Sequence, residues 1–170
     1  GQMIDGTAHV LHDSADVMDE GATGLMALGL REALQSEQGD VLIVTAYLVP
    51  DEVFLQRVRL HTERGFRVRL LTNSQLTTNQ PAAHAYYQAA RRDLLAAGAE
   101  LYELRPDAFS HAHQRSPGSS GRFLGLHAKS AVIGSRHVLV GSMNLDPRSM
   151  VLNTEMGLLV DSPELTSLAL

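Results

Sequence analysis

An imidazole, an ammonium, a hydroxyl, a carboxamide and a carboxylate stand at fixed places in LHAKSAVIGSRHVLVGSMNLDPRSMVLNTE, residues 126–155. His127 and Lys129 are two apart, so on a β-strand both side chains project to one face. Ser142 and Asn144 repeat that spacing at the end of a second apolar run, and Glu155 enters a third. Converging on one point, these groups suit the holding and attacking of a phosphate. A phosphodiester resists attack because its oxygens are anionic. Lys129 can supply a fixed positive charge, and Ser142 and Asn144 can hydrogen-bond the remaining oxygens. A neutral His127 can attack phosphorus to give a covalent phosphohistidine.

The elements that must position these groups follow an alternating pattern. Leu25, Leu28, Leu30, Ala33 and Leu34 make a helical apolar face over 22–37, closed at Gly39. VLIVTAYLV (41–49) is a continuous β-branched run of the kind found in strands covered on both faces. Pro50 ends it, and Asp51 can cap a helix carrying Val53, Phe54, Val58 and Leu60 to Gly65. FRVRLLTN (66–73) is a strand with Arg67 and Arg69 on one face, exposed or salt-bridged, and Val68 and Leu70 on the other. A polar loop reaches Pro81, a helix spans 82–97 and a strand spans 99–104. Such alternation predicts an α/β layered domain with a mixed, largely parallel sheet. Ligands sit in the loops after the strands of such sheets, which makes Tyr47–Asp51 and Asn73–Pro81 candidate pocket walls.

Residues 1–20 are polar and acidic and read as a linker or lead-in, with a single domain over 21–170. His9 and His12 read as surface histidines. A long polar loop covers 105–123; its His111 and His113 form a lone His-x-His without cysteine or clustered carboxylates, a weak metal signature. The 170 residues, 44% of them hydrophobic, suffice for one core. A net charge of −5 gives no broad basic field for nonspecific nucleic-acid binding. With no cysteine there is no disulfide or thiolate chemistry. No apolar run approaches the ~20 residues that span a bilayer. No signal peptide is visible, and the chain reads as a part of a longer protein.

The stretch resembles the phospholipase D superfamily and its HxKxxxxD…GSxN motif. His127, Lys129, Gly141, Ser142 and Asn144 fall at the family spacing, and Glu155 matches the acidic residue that follows. The motif's Asp falls instead on Gly134. Gly134-Ser135 suits a two-residue type II′ turn, and the missing carboxylate would lie roughly 16 Å along an extended strand from Lys129, so its role is expected to be structural. Gly134→Asp is expected to raise stability or rate. YLVPDE (47–52), TNS (72–74), the run 81–106 and the run 144–165 are similar to the C-terminal half of bacterial cardiolipin synthases of the type C group.

The resemblance implies a phospholipase D-like layered fold with helices on both faces of the sheet. It implies phosphatidyl transfer, or hydrolysis when water is the acceptor, through a phosphohistidine. Glu155 would orient one imidazole. Substrate contacts would come from Tyr47, Asn73, His84 and Tyr87, although Tyr87 and Arg91, one helical turn apart, read equally well as packing and a surface charge. No metal and no cofactor are expected. The family carries two motif copies per site and this chain holds one, so a second motif-bearing half is expected, from a longer chain or a homodimer; His127 can then be nucleophile or general acid. The partners implied are a phospholipid substrate and peripheral contact with the bacterial cytoplasmic membrane, with no nucleic acid. The competing readings are a homodimeric phosphodiesterase or nuclease of the same superfamily and a degenerate half that binds a phosphate-bearing partner or completes a fold.

Overall fold

The computed structural model of the chain describes residues 3–14, 24–36, 38–107 and 125–169. Seven strands form one sheet: β1 (Thr7–His12), β2 (Val41–Thr45), β3 (Val68–Asn73), β4 (Glu100–Leu104), β5 (Lys129–Ile133), β6 (His137–Gly141) and β7 (Met156–Asp161). Their order across the sheet is β1-β7-β6-β5-β2-β3-β4. With them go helices α1 (Leu25–Ser36), α2 (Glu52–Glu63), α3 (Pro81–Ala96) and α4 (Pro163–Ala169), and a single π-helical turn at Arg148–Leu152.

Alternation decides which side of each strand is buried. Val41, Ile43, Val68 and Leu70 point to one face and are nearly inaccessible. Phe54 and Val58 of α2 and Leu94 of α3 join them in one core with Met26, Ala27, Leu30 and Leu34 of α1. Each large apolar side chain fully buried there contributes about 1.5–3 kcal/mol. Asp51 starts α2 as expected: its carboxylate accepts the Phe54 N–H at 2.7 Å, and it also pairs with Arg31 of α1 at 2.9 Å. α4 lies against β5 and β6, whose other face contributes the buried Val132 and Val138.

The sheet is mixed, but the largely parallel arrangement expected from the alternation is confined to β2, β3 and β4. Helical crossovers join those three. β5, β6 and β7 succeed one another without a helix long enough to cross the sheet, so they pair antiparallel, as do β5 with β2 and β1 with β7. The expected lead-in is also corrected. Thr7–His12 is the outer strand β1, held to β7 from Thr7↔Asp161 to His12↔Met156. His9 and His12 are three apart on this strand and face opposite sides, so they cannot share an ion. β2 stops at Thr45, four residues before the end of its apolar run. The Thr45 hydroxyl donates to Tyr47 O at 3.0 Å and accepts Leu145 N–H at 3.2 Å, and Leu48 then pairs with Leu145. Arg67 is salt-bridged to Glu100 at 2.7 Å. From residue 108 the expected polar loop, with His111 and His113, lies outside the described residues.

The β5–β6 turn takes three residues, 134–136, rather than two. Gly134 has φ of +60°, the left-handed region that disfavours a Cβ. Its N–H donates to Asp40 O at 3.0 Å, and Gly39 packs so closely that a Cβ there would meet Gly134 Cα at 3.0 Å. Glycine fills this left-handed position without strain where the motif's Asp would carry a cost, which runs against the expectation that restoring the carboxylate would help. Gly134→Asp should lower unfolding stability by about 1 kcal/mol, read as a lower midpoint in urea at unchanged slope.

Candidate active site

One end of the sheet collects the motif. The C-terminal ends of β1, β2, β3 and β6 and the N-terminal ends of β5 and β7 all meet there, as the registers Thr45↔Lys129, Gly141↔Gly157 and His12↔Met156 require. Gly141, the motif glycine, is fixed by packing. A Cβ on it would lie 2.6 Å from Met156 O and 2.7 Å from Met26 Cε. Only a bare backbone lets β6 deliver Ser142 beside the start of β7 while Met26 crosses above.

Glu155 lies at the centre and is 7% exposed. Ser142 Oγ donates to its Oε2, and Asn153 Nδ2 donates to Oε1 at 3.2 Å. Ser142 Oγ in turn accepts Met156 N–H at 3.1 Å. Asp13, beyond the end of β1, holds the backbone of Glu155 from the other side. Its N–H donates to Glu155 O at 2.8 Å, and its carboxylate accepts Glu155 N–H at 3.0 Å and Met26 N–H at 3.1 Å. Asp13 thus ties the edge strand, the start of α1 and the acidic motif residue together. The sequence reading left it in the lead-in; no local signal marks it, because its partner is remote.

Lys129 opens β5 and His127 precedes it, exposed. Lys129 Nζ donates to His127 O at 2.9 Å and lies 3.4 Å from His127 Nδ1. Burial lowers the Lys129 pKa below its ordinary 10.5, while the charges of Glu155 and Asp146 pull it back up. Asp146 is therefore a second acidic neighbour that the sequence reading missed, although it stands only two residues beyond Asn144. Its carboxylate also accepts Ser149 N–H at 2.9 Å, fixing the π-helical turn.

Asn144 is buried, and its Oδ1 has no partner among the described residues. It lines a groove of about 710 Å³ with Tyr47, Val49, Gln80, Ala83, Tyr86 and Asp146, among others. Both candidate wall loops therefore contribute to this groove. Three of the expected substrate contacts do not. Asn73 is 3% exposed, with its carboxamide bonded to backbone. His84 and Tyr87 lie behind the groove, around a small cavity they share with Tyr47 and Asn73. Arg91 sits over the Tyr87 ring at 5.0 Å and pairs with Glu103 at 2.5 Å. Burial, with Glu103 adding to it, pushes the Tyr87 phenol up to about 12. The helix turns about 100° per residue, so it presents Tyr86 to the groove and Tyr87 to the core.

Glu155 does not orient His127: among the described residues no hydrogen bond joins them, and the imidazole's neighbour is Lys129. Among the described residues no three His, Asp or Glu side chains are grouped to hold a metal ion.

Residues 30–169 match the family described as cardiolipin synthase, PLD-like domain. The chain is 33% identical to cardiolipin synthase C of Escherichia coli over 98% of its own length and 37% of that protein. It spans about a third of the length of the curated relatives it matches, this one and an uncharacterized protein of Helicobacter pylori among them. Among solved structures it resembles Nuc of Salmonella typhimurium, a phospholipase D family member, with TM-score 0.66 and 16% identity over 97% of this chain and 90% of that one. It likewise resembles phosphatidylserine synthase of Haemophilus influenzae, with TM-score 0.66 and 15% identity over 95% of this chain and 36% of that one. At these identities the two structures establish the fold.

The electrostatics of Lys129 can be measured directly. Between its lowered folded pKa and the unfolded value the unfolded chain binds more protons, so this group makes stability rise as pH climbs through that window. NMR titration of the Lys129 side chain should give a midpoint below 10.5. Glu155→Gln removes a charge that raises it, so the midpoint should fall further. An unchanged or higher midpoint in Glu155→Gln would contradict the placement of the carboxylate.

Proposed function

The chain belongs to the cardiolipin synthase, PLD-like domain family, and on that premise we propose that it carries one half of a metal-free phosphodiester-transfer site acting on phospholipids. The observation that carries this reading is the gathering of Lys129, Ser142, Asp146 and Glu155 at one sheet end, with an exposed His127 beside them and a groove leading away from Asn144.

In this reading Lys129 holds one non-bridging phosphate oxygen and the Asn144 carboxamide the other, while Ser142, expected from sequence to bond the phosphate, instead gives its one proton to Glu155 and acts through it. An imidazole attacks phosphorus, a P–N bond forms and the P–O bond to the leaving group breaks. The second histidine of the site gives its proton to the departing oxygen. An acceptor hydroxyl then attacks phosphorus, loses its proton to that second histidine and breaks the P–N bond. A lipid polyol as acceptor gives phosphatidyl transfer of the cardiolipin synthase kind, and water gives hydrolysis. The second histidine comes from a second motif-bearing half. In this reading the imidazole that Glu155 orients is that of the other half, and what supports it is that Glu155 bonds Ser142 and Asn153 and not His127. The groove residues Tyr47 and Tyr86 would contact the glycerol end of the substrate. No helix among the described residues is long and apolar enough to cross a membrane, and contact with the bacterial cytoplasmic membrane would be peripheral.

The test is hydrolysis of a soluble chromogenic phosphodiester in EDTA against protein concentration, with and without phospholipid vesicles. Activity should survive EDTA and fall by at least ~10³-fold in His127→Ala, as for loss of a nucleophile or its acid–base partner. A rate that climbs faster than linearly with concentration means that two copies pair, as in the homodimeric reading. A rate that appears only when a second motif-bearing half is added places the chain in a two-motif synthase. Loss of activity in EDTA would overturn the metal-free mechanism. No phosphohistidine even with a second half present would leave the degenerate reading.

A further inference from the structure

Asn73 ends β3 and was expected to touch substrate. Its carboxamide instead spans two segments of backbone. Nδ2 donates to Ala46 O at 3.0 Å and to Leu126 O at 2.9 Å, and Oδ1 accepts Leu126 N–H at 2.8 Å. The two bonds to Leu126 imitate the exchange between paired strands, made here by a side chain. Leu126 immediately precedes His127. The sheet itself holds this segment only from Lys129, where β5 begins its pairing with Thr45. Among the described residues, the Asn73 carboxamide is therefore the side-chain clamp between the loop that follows β2 and the histidine.

We propose that Asn73 is a positioning residue for His127. Asparagine is the side chain this task needs. A peptide unit presents a donor and an acceptor, and only a carboxamide answers both while its second N–H reaches Ala46 O. Aspartate in its place keeps the acceptor for Leu126 N–H but sets a carboxylate against two carbonyl oxygens. Alanine leaves a buried N–H and two carbonyls without their partner. In either case the backbone carrying the imidazole is released at its N-terminal side, and Lys129 alone fixes the other. Reaction geometry is steep in this respect: a displacement of about 1 Å costs on the order of 10²-fold in rate.

The inference rests on His127 being the reacting imidazole, so its test has one arm that needs no activity. Asn73→Ala and Asn73→Asp are compared with Thr77→Val, just past the same strand. Thr77 is 1% exposed, and its hydroxyl is hydrogen-bonded to Ser74 and Leu104 rather than to Leu126. Each variant is read for its unfolding midpoint, for the ring ¹⁵N and ¹H resonances of His127, and for kcat and KM on the chromogenic phosphodiester with the site assembled. Asn73→Ala should move the His127 ring resonances and lower kcat roughly 10- to 100-fold with KM within about twofold. Asn73→Asp should shift both in the same direction by less. Thr77→Val should lose stability and leave the ring and kcat unchanged. Should Asn73→Ala fail to fold, the Asp variant decides. Ring resonances that stay at their wild-type positions in the folded Asn73 variants overturn the proposal, and so does an equal shift in Thr77→Val. Absence of activity in every variant would count against the phosphodiester reading alone, since the ring resonances still report the positioning.

Discussion

A carboxylate buried in a protein is tolerated only when donors replace the water it has lost. Glu155 sets that condition for the whole site. Ser142 and Asn153 satisfy its oxygens, Asp13 holds its backbone, and Lys129 feels its charge. Each of these comes from a different segment, so meeting the demand of one side chain fixes the relative position of β1, β5, β6 and β7. The same convergence is what the proposed anion site uses. Once the carboxylate is bonded to its own neighbours, the ammonium is left facing outward beside an exposed imidazole.

The candidate site residues stand out by their spacing, His127/Lys129 and Ser142/Asn144 each two apart and Glu155 just before the next strand. Strand periodicity is not what gathers them, since His127 precedes β5 and Ser142 and Asn144 follow β6. The supports were not legible. Asp13 and Glu155 are 142 positions apart, and a short polar strand on a sheet edge looks like a linker because its burial is slight. Asn73 was noticed but misassigned. The end of a β-strand is where substrate contacts and backbone clamps both occur, and only the placement of Leu126 distinguishes them.

Direction of pairing was lost for a related reason. Helix and strand alternate through β4, and that pattern is correctly read as parallel. Past β5 the chain returns without a helix long enough to cross the sheet, by a three-residue turn to β6 and then through a single π-helical turn to β7, so these strands pair antiparallel and the earlier rule no longer applies. Gly134 shows the limit of motif matching itself. A departure from a pattern looks like a missing carboxylate, yet a φ of +60° puts it where glycine is the least strained residue. Tyr86 and Tyr87 make the same point on α3: adjacent in sequence, one lines the groove and the other fills the core.

The pairing of β1 with β7 bears on the order in which the molecule is made. β1 is the first of the seven strands to leave the ribosome, and its partner is the last. The parallel unit β2-β3-β4 can form as it emerges, since its contacts are between neighbours in the chain. β1 must wait through the synthesis of everything between, with its backbone donors and acceptors open to other partners, because closing so long a loop is slow. Asp13 waits with it. The candidate site is therefore assembled only after β7 has emerged, and a ribosome stalled before β7 would hold a half-built sheet that has no grip on Glu155.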